Sequence, residues 1–283
     1  MDYYAIRKED FHKHSPYRFT VVKDAEALSR RCAQELAGIL AANNASGRET
    51  VAILPVGPLD YGVCAEVLNA KRADCSRLVT LNMDEYLDEE GRLIGEEQPL
   101  SFRTFMKRTF AGKLSPERKF RLENLRFPDP SRAGETTVWI ERIGGADIVF
   151  GGLGITGHFA FNDPPEPGEP AEVEAVANSV TRVVRIARES QAQMAMGGTG
   201  GNTEMLPREA ITLGMKELRA SRKVHLTFMR SWHAGVMRRA LFGPIDARFP
   251  GSTLQGHRNL EVTVTELAAA LPMANVAQAI GEK

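Results

Sequence analysis

The chain has 283 residues, 43% hydrophobic and 25% charged, enough for one large core or two small ones. Its 36 basic and 36 acidic residues cancel, so no basic surplus calls for nucleic acid and no like-charge block marks a tail. No run approaches membrane-spanning length, residues 1–23 carry no apolar signal core, and three cysteines (Cys32, Cys64, Cys75) lack metal-ligand spacing and read as buried thiols in a reducing compartment. A cytoplasmic protein is expected.

Taken in order, the chain alternates short apolar runs with helical patterns. His12 and His14 sit in a polar segment without further ligands and read as surface residues. Phe19 to Val22 suggests an edge strand. Asp24 caps a helix to about Asn43, with Leu28, Cys32, Leu36 and Ile39 on one face. Val51 to Leu54 is a buried strand, Pro55-Val56-Gly57-Pro58 turns, and Asp60 caps a helix to about Lys71. Leu78 to Met83 is the next strand, and its end delivers Asp84-Glu85-Tyr86 into a loop. Ser101 to Phe110 reads as helix with Phe102, Phe105 and Met106 inward; 121–130 reads as irregular, and Ser131 to Ile143 as helix. Ala146 to Phe150 is a buried strand. Pro164 to Pro170, rich in proline and glutamate, marks an exposed segment, and 164–178 is a candidate lid. Thr181 to Ile186 suggests a strand. Gly197 to Gly201 is a linker or an anion cradle. Pro207 to Gly214 leads into a helix-like segment. Val224 to Met229 is a strand in which His225 reads as a satisfied core histidine. Ser231-Trp232-His233 opens a helix, and Leu260 to Val264 is a last strand before a C-terminal helix. Strands alternating with helices predict an open, mostly parallel α/β sheet with helices on both faces, in one domain spanning 1–283.

The stretch Gly151 to Pro165 carries the chemistry. Its Gly152-x-Gly154-x-x-Gly157 matches a dinucleotide fingerprint literally, but Asn162-Asp163-Pro164-Pro165 leaves no room for the helix that must meet the pyrophosphate. Ligands of open α/β sheets sit outside the carboxyl ends of strands. Three such ends carry polar groups: Asp84/Glu85, His158/Asp163 and His233. No nucleophile elbow and no Walker loop accompany them. A carboxylate base with a histidine acid/base suits proton abstraction beside a carbonyl or imine. Asp84, following an apolar strand, is placed to be partly desolvated; two solvated loop acids are the alternative.

These residues resemble a known family. Leu81-Asn82-Met83-Asp84-Glu85-Tyr86 is similar to the "F-N-M-D-E-Y" of the glucosamine-6-phosphate deaminase/isomerases. Gly151 to Asp163 resembles their "G-G-[VL]-G-x-D-G-H-[IL]-A-F-N-E-P", and Phe249 to His257 their "P-x-S-x-L-Q-x-H". The similarity runs in register over most of the chain. The 6-phosphogluconolactonases share a related glycine–histidine loop but lack the Asn-Met-Asp-Glu-Tyr pattern. The resemblance implies a Rossmann-like sheet, a site without metal or cofactor, and a homo-oligomer, often a hexamer. It implies that His158 helps open the sugar ring, that Asp84 moves the proton between C2 and C1, and that ammonia leaves from C2. Asp163 would orient His158, in place of the usual glutamate. Gly57, Pro58, Glu85, Gly154, Thr156 and His233 would contact the substrate.

Several positions depart from the pattern. Thr156 replaces a second acid that orients the histidine. The first loop, Pro55 to Pro58, is shorter than the family's "P-T-G-G-T-P" and has no hydroxyl. His233 stands for the lysine of "S-Q-K-A", and the phosphate arginine falls near Met196. At roughly 1.5–3 kcal/mol per charged hydrogen bond, such losses weaken phosphate binding by several kcal/mol. Three readings follow: a deaminase/isomerase of an amino or keto sugar, the same chemistry on a ligand other than the usual 6-phosphate, and a non-catalytic sugar sensor. A lactonase-like isomerase or hydrolase is the further alternative.

Overall fold

The computed structural model describes residues 2–273. Its strands are β1 (Arg18–Val22), β2 (Thr50–Leu54), β3 (Leu78–Asn82), β4 (Asp84–Tyr86), β5 (Leu125–Arg126), β6 (Ile148–Gly151), β7 (Arg182–Arg185), β8 (Glu209–Thr212), β9 (Val224–Phe228) and β10 (Leu260–Thr265). Its α-helices are α1 (Phe11–His14), α2 (Ala25–Ala45), α3 (Tyr61–Ala70), α4 (Phe102–Thr109), α5 (Ala133–Arg142), α6 (Val173–Ala177), α7 (Arg188–Gly198), α8 (Met215–Arg219), α9 (His233–Phe242) and α10 (Glu266–Ala269).

Seven strands form one sheet in the order β1-β10-β9-β6-β2-β3-β5, parallel throughout. Its central strands are apolar on both faces. In β2, Val51 and Ile53 join one core cluster while Ala52 and Leu54 join the other; in β6, Val149 faces the first and Ile148 and Phe150 the second. Side chains alternate along a strand, so both faces need cover, and helices supply it. The expected caps are in place: Asp24 accepts from Ala27 N at 2.9 Å and Asp60 from Gly62 N at 2.8 Å. His225 is fully buried, bonded at Nδ1 to Glu35 and at Nε2 to Thr263 Oγ1, 2.8 Å away. The C-terminal helix is short, Glu266–Ala269, and residues expected to extend it from 274 onward lie outside the described residues.

The departures lie beyond the parallel sheet. A second, antiparallel sheet has the order β4-β8-β7. Asp84-Glu85-Tyr86 is therefore a strand, not a loop, and Glu209–Thr212, expected within a helix-like segment, is its central partner. Tyr86 fixes it, with Phe102 at 4.7 Å and Phe161 at 5.6 Å between ring centroids. Arg188–Gly198 is a helix, so two glycines of the expected linker close it. Leu125–Arg126 adds an edge strand within the segment read as irregular. Phe105, expected inward, is 37% exposed and meets Tyr61 only by its edge.

Candidate active site

The strands β9, β6, β2 and β3 are neighbours and run the same way, so their C-terminal ends form one rim. Strand spacing of about 4.8 Å puts the ends of β3 and β6 roughly 10 Å apart, with β2 between. Pro58, after β2, leans on Gly152 after β6: a Cβ at Gly152 would lie 3.3 Å from Pro58 Cγ and 3.0 Å from Thr227 O of β9. Gly57 beside it is open to solvent.

The glycine loop folds back on itself. Gly157 turns at φ +80° and donates to Gly154 O at 2.9 Å, and Gly154 N donates to His158 O at 3.0 Å. No helix opens there, and the loop has no dinucleotide geometry. Gly154 is required by contact: a Cβ would lie 2.1 Å from His158 Cε1 and Nε2, so the imidazole rests on bare backbone.

Three oxygens surround His158 Nδ1: Asp163 Oδ1 at 3.0 Å, Thr156 Oγ1 at 2.9 Å and Ser190 Oγ at 2.9 Å. Thr156 and Ser190 also reach Asp163 Oδ1, at 2.9 and 2.6 Å, and Ala187 N donates to Oδ2 at 3.0 Å. The assignment that satisfies all of them puts the proton on Nδ1 and turns both hydroxyls to the carboxylate. Nε2 has no protein partner among the described residues. Asp163 is pulled below the usual carboxylate range: burial opposes this, but the bonds from His158, Ser190 and Ala187 outweigh it. Thr156 thus does not replace the acid's charge; its hydroxyl serves Asp163. Ser190, on α7, carried no motif and was legible only once α7 was placed.

Asp84 and Glu85 part company. In β4 their side chains point to opposite faces. Glu85 is fully buried and accepts from Phe102 N at 3.0 Å, Arg103 N at 2.9 Å and Arg103 Nε at 3.3 Å. The expectation that Glu85 contacts substrate is corrected: its oxygens hold the N-terminus of α4 and an arginine, and no surface remains for a ligand. Asp84 is 7% exposed, and no protein donor reaches its carboxylate among the described residues. Burial, helped by the nearby Glu85 charge, pushes it up to about 8. It stands opposite Thr212 in the β4–β8 ladder, and Thr212 Oγ1 accepts from Phe161 N at 3.0 Å. One threonine therefore ties the aspartate strand to the histidine loop.

His233 also departs from expectation. It is 4% exposed, its Nδ1 accepts from Met229 N and Arg230 N at 3.0 Å each, and it bonds the Leu153 backbone. Burial, then the Arg230 charge, lowers it to about 3. A neutral imidazole with both nitrogens engaged is no anion ligand, so its expected substrate contact is corrected to a stitch between the β9 and β6 loops. The free cation at that strand end is Arg230, which makes no ion pair among the described residues and whose Nη1 would lie 3.4 Å from a Cβ at Gly197. Met196, where the phosphate arginine was expected, is 75% exposed.

The element crossing the rim is α7. Ser190 meets His158, Gln193 Oε1 accepts from Ile155 N at 2.6 Å, Met194 Sδ lies 3.1 Å from Tyr86 Oη, and Gly197 faces Arg230. Residues 164–172 lie to one side, where Arg248 holds the carbonyls of Pro165 and Glu169 at 3.3 and 3.1 Å. Among the described residues, no three His, Cys, Asp or Glu side chains are grouped to hold a metal ion, and no helix is long and apolar enough to cross a membrane.

The geometry agrees with the similarities. The chain is 27% identical over 259 residues to a glucosamine-6-phosphate deaminase of Clostridium perfringens, covering 90% of this chain and 99% of that protein. It is 25% identical over 263 residues to one from Clostridium botulinum, covering 89% and 97%. A monomeric glucosamine-6-phosphate deaminase of known structure superposes with a TM-score of 0.76 at 21% identity, over 90% of this chain and all of that one. The chain is thus similar to glucosamine-6-phosphate deaminases along nearly its whole length. A 6-phosphogluconolactonase of Shewanella baltica follows with a TM-score of 0.57 at 16% identity, over 88% of this chain and 97% of that one. No protein-family model matches the chain. Against the family pattern, the histidine–carboxylate pair and the strand-end aspartate are kept, while the lysine position and the hydroxyl-rich first loop are not.

Proposed function

We propose that the protein is a sugar deaminase/isomerase that interconverts an aldose and a ketose framework with loss of ammonia. The observation that carries this reading is Asp84: a buried carboxylate without protein donors, held near 8, at the rim that carries His158. A base working on a carbon acid needs that poise. His158, its Nδ1 proton fixed by Asp163, takes the proton of the anomeric hydroxyl on Nε2 and delivers it to the ring oxygen as the sugar opens. Asp84 takes the proton from C2 and returns it at C1. The resulting C2 imine takes up water and releases ammonia, leaving the ketose. The aldose–ketose and lactonase-like alternatives use the same two groups without the nitrogen.

The anion of the substrate is a separate question. The engaged, neutral His233 and the first loop without a hydroxyl favour a ligand whose anionic or polar group is met by Arg230 and not by the usual 6-phosphate set. One screen tests both statements: ammonia release from glucosamine-6-phosphate, glucosamine and other amino sugars. Release from any of them supports the chemistry. Saturable turnover of glucosamine-6-phosphate at micromolar levels refutes the altered anion site. Ligand-dependent thermal stabilisation without product from any sugar refutes catalysis and leaves a sensor. We further propose a cytoplasmic homo-oligomer that takes a small sugar or sugar phosphate and binds neither nucleic acid nor membrane. The related solved deaminase is described as monomeric, so sedimentation of the purified chain decides the assembly.

A further inference from the structure

A cavity of about 580 Å³ opens at the end of the parallel sheet opposite the catalytic rim. Its walls are the residues that lead into three neighbouring strands: Pro16, Tyr17 and Arg18 into β1, Lys223 into β9, and Gly256 to Glu261 into β10. At about 3.3 Å per residue, the six residues of β10 hold it roughly 17 Å from the C-terminal strand ends. The cavity is rich in donors and poor in acceptors. Glu261, the one carboxylate among its lining residues, is engaged on both oxygens, by Arg31 at Oε1 and by Lys223 Nζ at Oε2, 2.8 Å away. Lys223 directs a second proton to Glu35 and keeps a third. Tyr17 Oη accepts from Gly256 N at 2.6 Å, and its own proton meets no acceptor among the described residues. Among the described residues, Arg18 and Arg258 make no ion pair and no side-chain hydrogen bond, whereas Arg30, Arg92 and Arg132 elsewhere on the molecule each hold an acid. With Arg31 and Glu35 behind the wall included, four cations meet two carboxylates.

The turn that carries Arg258 is held on both sides. His257 Nε2 donates to Ser221 O at 2.9 Å, and its Nδ1 accepts from Asn259 N at 3.2 Å. Asn259 Nδ2 donates to Arg222 O at 3.2 Å. The neighbours of Arg258 are thus pinned to the segment before β9, and its guanidinium alone is left without a partner. A cation entering this space would find no free carboxylate. An anion would find two guanidinium forks, an ammonium proton and a phenol, with no unpaired acid to repel it. The surplus of two positive charges matches a dianion, and the volume suits a small molecule.

We propose that this cavity, at the N-terminal ends of β1, β9 and β10, is a binding site for a small phosphate monoester. Arg18 and Arg258 take the phosphate oxygens, and Tyr17 Oη donates a further hydrogen bond. The site does not rest on the proposed reaction, and its test involves no turnover. Hydrogen–deuterium exchange of the whole chain, read peptide by peptide, locates a ligand as well as detecting it. Glycerol 3-phosphate is compared with glycerol and with acetate at matched low ionic strength. At about 10 mM, glycerol 3-phosphate slows exchange in 15–19 and 255–261 at least about threefold, and the two controls do not. Arg18→Ala and Arg258→Ala each raise its half-saturating concentration about tenfold, the loss of one charged hydrogen bond. Both arginines are exposed, so these variants keep the wild-type Tm. Arg230→Ala, at the other end of the sheet, leaves the protection of 255–261 unchanged. No slowing in these peptides up to about 10 mM, slowing confined to 185–208 or to the rim, equal slowing by acetate, or indifference to the Arg18 and Arg258 variants would each overturn the proposal.

Discussion

Replacing Asp84 by Asn should stabilise the protein while abolishing its activity, and the stabilisation should grow with pH. The side chain is 7% exposed without a donor, and burial moves it from 3.8 to about 8. Between those values the folded chain keeps a proton that the unfolded chain has released, so wild-type stability falls as pH rises through that window. At about 1.36 kcal/mol per pH unit, the cost is on the order of 4 kcal/mol by pH 7 and 5–6 kcal/mol above pH 8. Asparagine has the same shape and no charge, so Asp84→Asn escapes the cost. For a chain of this size 1 kcal/mol is about 2–4 °C, so its Tm should exceed that of wild type by about 10–20 °C at pH 8 and by little near pH 4. Removal of a general base costs roughly 10²–10⁴ in rate. Wild-type kcat/KM should itself rise as pH approaches 8, as Asp84 becomes a base. Thermal scans of both proteins from pH 4 to 9 make the comparison. A Tm difference that stays flat across that range refutes the account of Asp84, whatever happens to activity.

Gly154→Ala places a methyl 2.1 Å from the imidazole, so activity should drop at least about tenfold with stability lowered by about 1–3 kcal/mol; unchanged turnover refutes the stacking. His233→Gln removes the acceptor of two backbone N–H groups and should cost about 1–3 kcal/mol at pH 8 and roughly 2 kcal/mol less at pH 5, because folded His233 stays neutral at both while the unfolded imidazole takes up a proton below 6.5, a penalty that glutamine escapes; chemical denaturation at the two pH values checks this. Glu85→Gln takes the negative charge from Arg103 and from the α4 N-terminus and should destabilise by about 1–3 kcal/mol, with faster amide exchange confined first to α4 and β4. Thr156→Val and Ser190→Ala each remove one hydroxyl from the same oxygen of Asp163. Each should lower kcat/KM by less than about tenfold because the other hydroxyl remains, and the double variant should lose more than the product of the two; strict additivity refutes the shared role.

The parallel sheet was readable because β2 and β6 are short apolar runs, turn residues separate strands from helical patterns, and the helices announce themselves with Asp24 and Asp60. The histidine loop was readable because glycine, histidine and proline leave few structures open to it. What failed to show has a common cause. A three-residue strand such as β4 is too short for a period, and Asp84 and Glu85 are chemically alike until their strand turns them to opposite sides. Glu85 therefore looked like a ligand when it is a helix anchor. α7 has alanine, glutamine and methionine but no continuous apolar stripe, so 188–196 drew no assignment, and the two glycines that close it read as part of a linker or anion cradle. Ser190 was lost with it. His233 was assigned by its alignment to a lysine, and only contacts made at distance, to Leu153 and to the Met229 and Arg230 backbone, show that its nitrogens are engaged.

Three acids of this site show how donors, not identity, set the role of a carboxylate. Glu85 accepts backbone and guanidinium protons and works as a structural cap. Asp163 accepts from an imidazole, two hydroxyls and a backbone amide, and is held below its usual range. Asp84 accepts from no donor among the described residues and is held far above it. Acid and base assignments follow from groups whose environments drive them apart. Near neutral pH, Asp163 stays ionised and its charge goes to fixing His158, whereas Asp84 lies close to the point where gaining and losing a proton are equally easy. A carbon-bound proton that must be lifted from one atom and set down on the next needs a carrier of the second kind, and the first kind beside it to hold the imidazole still. That the first is kept with a shorter acid and two hydroxyls in place of a second carboxylate means the orientation of His158 is maintained by geometry, while the charge around it has been halved.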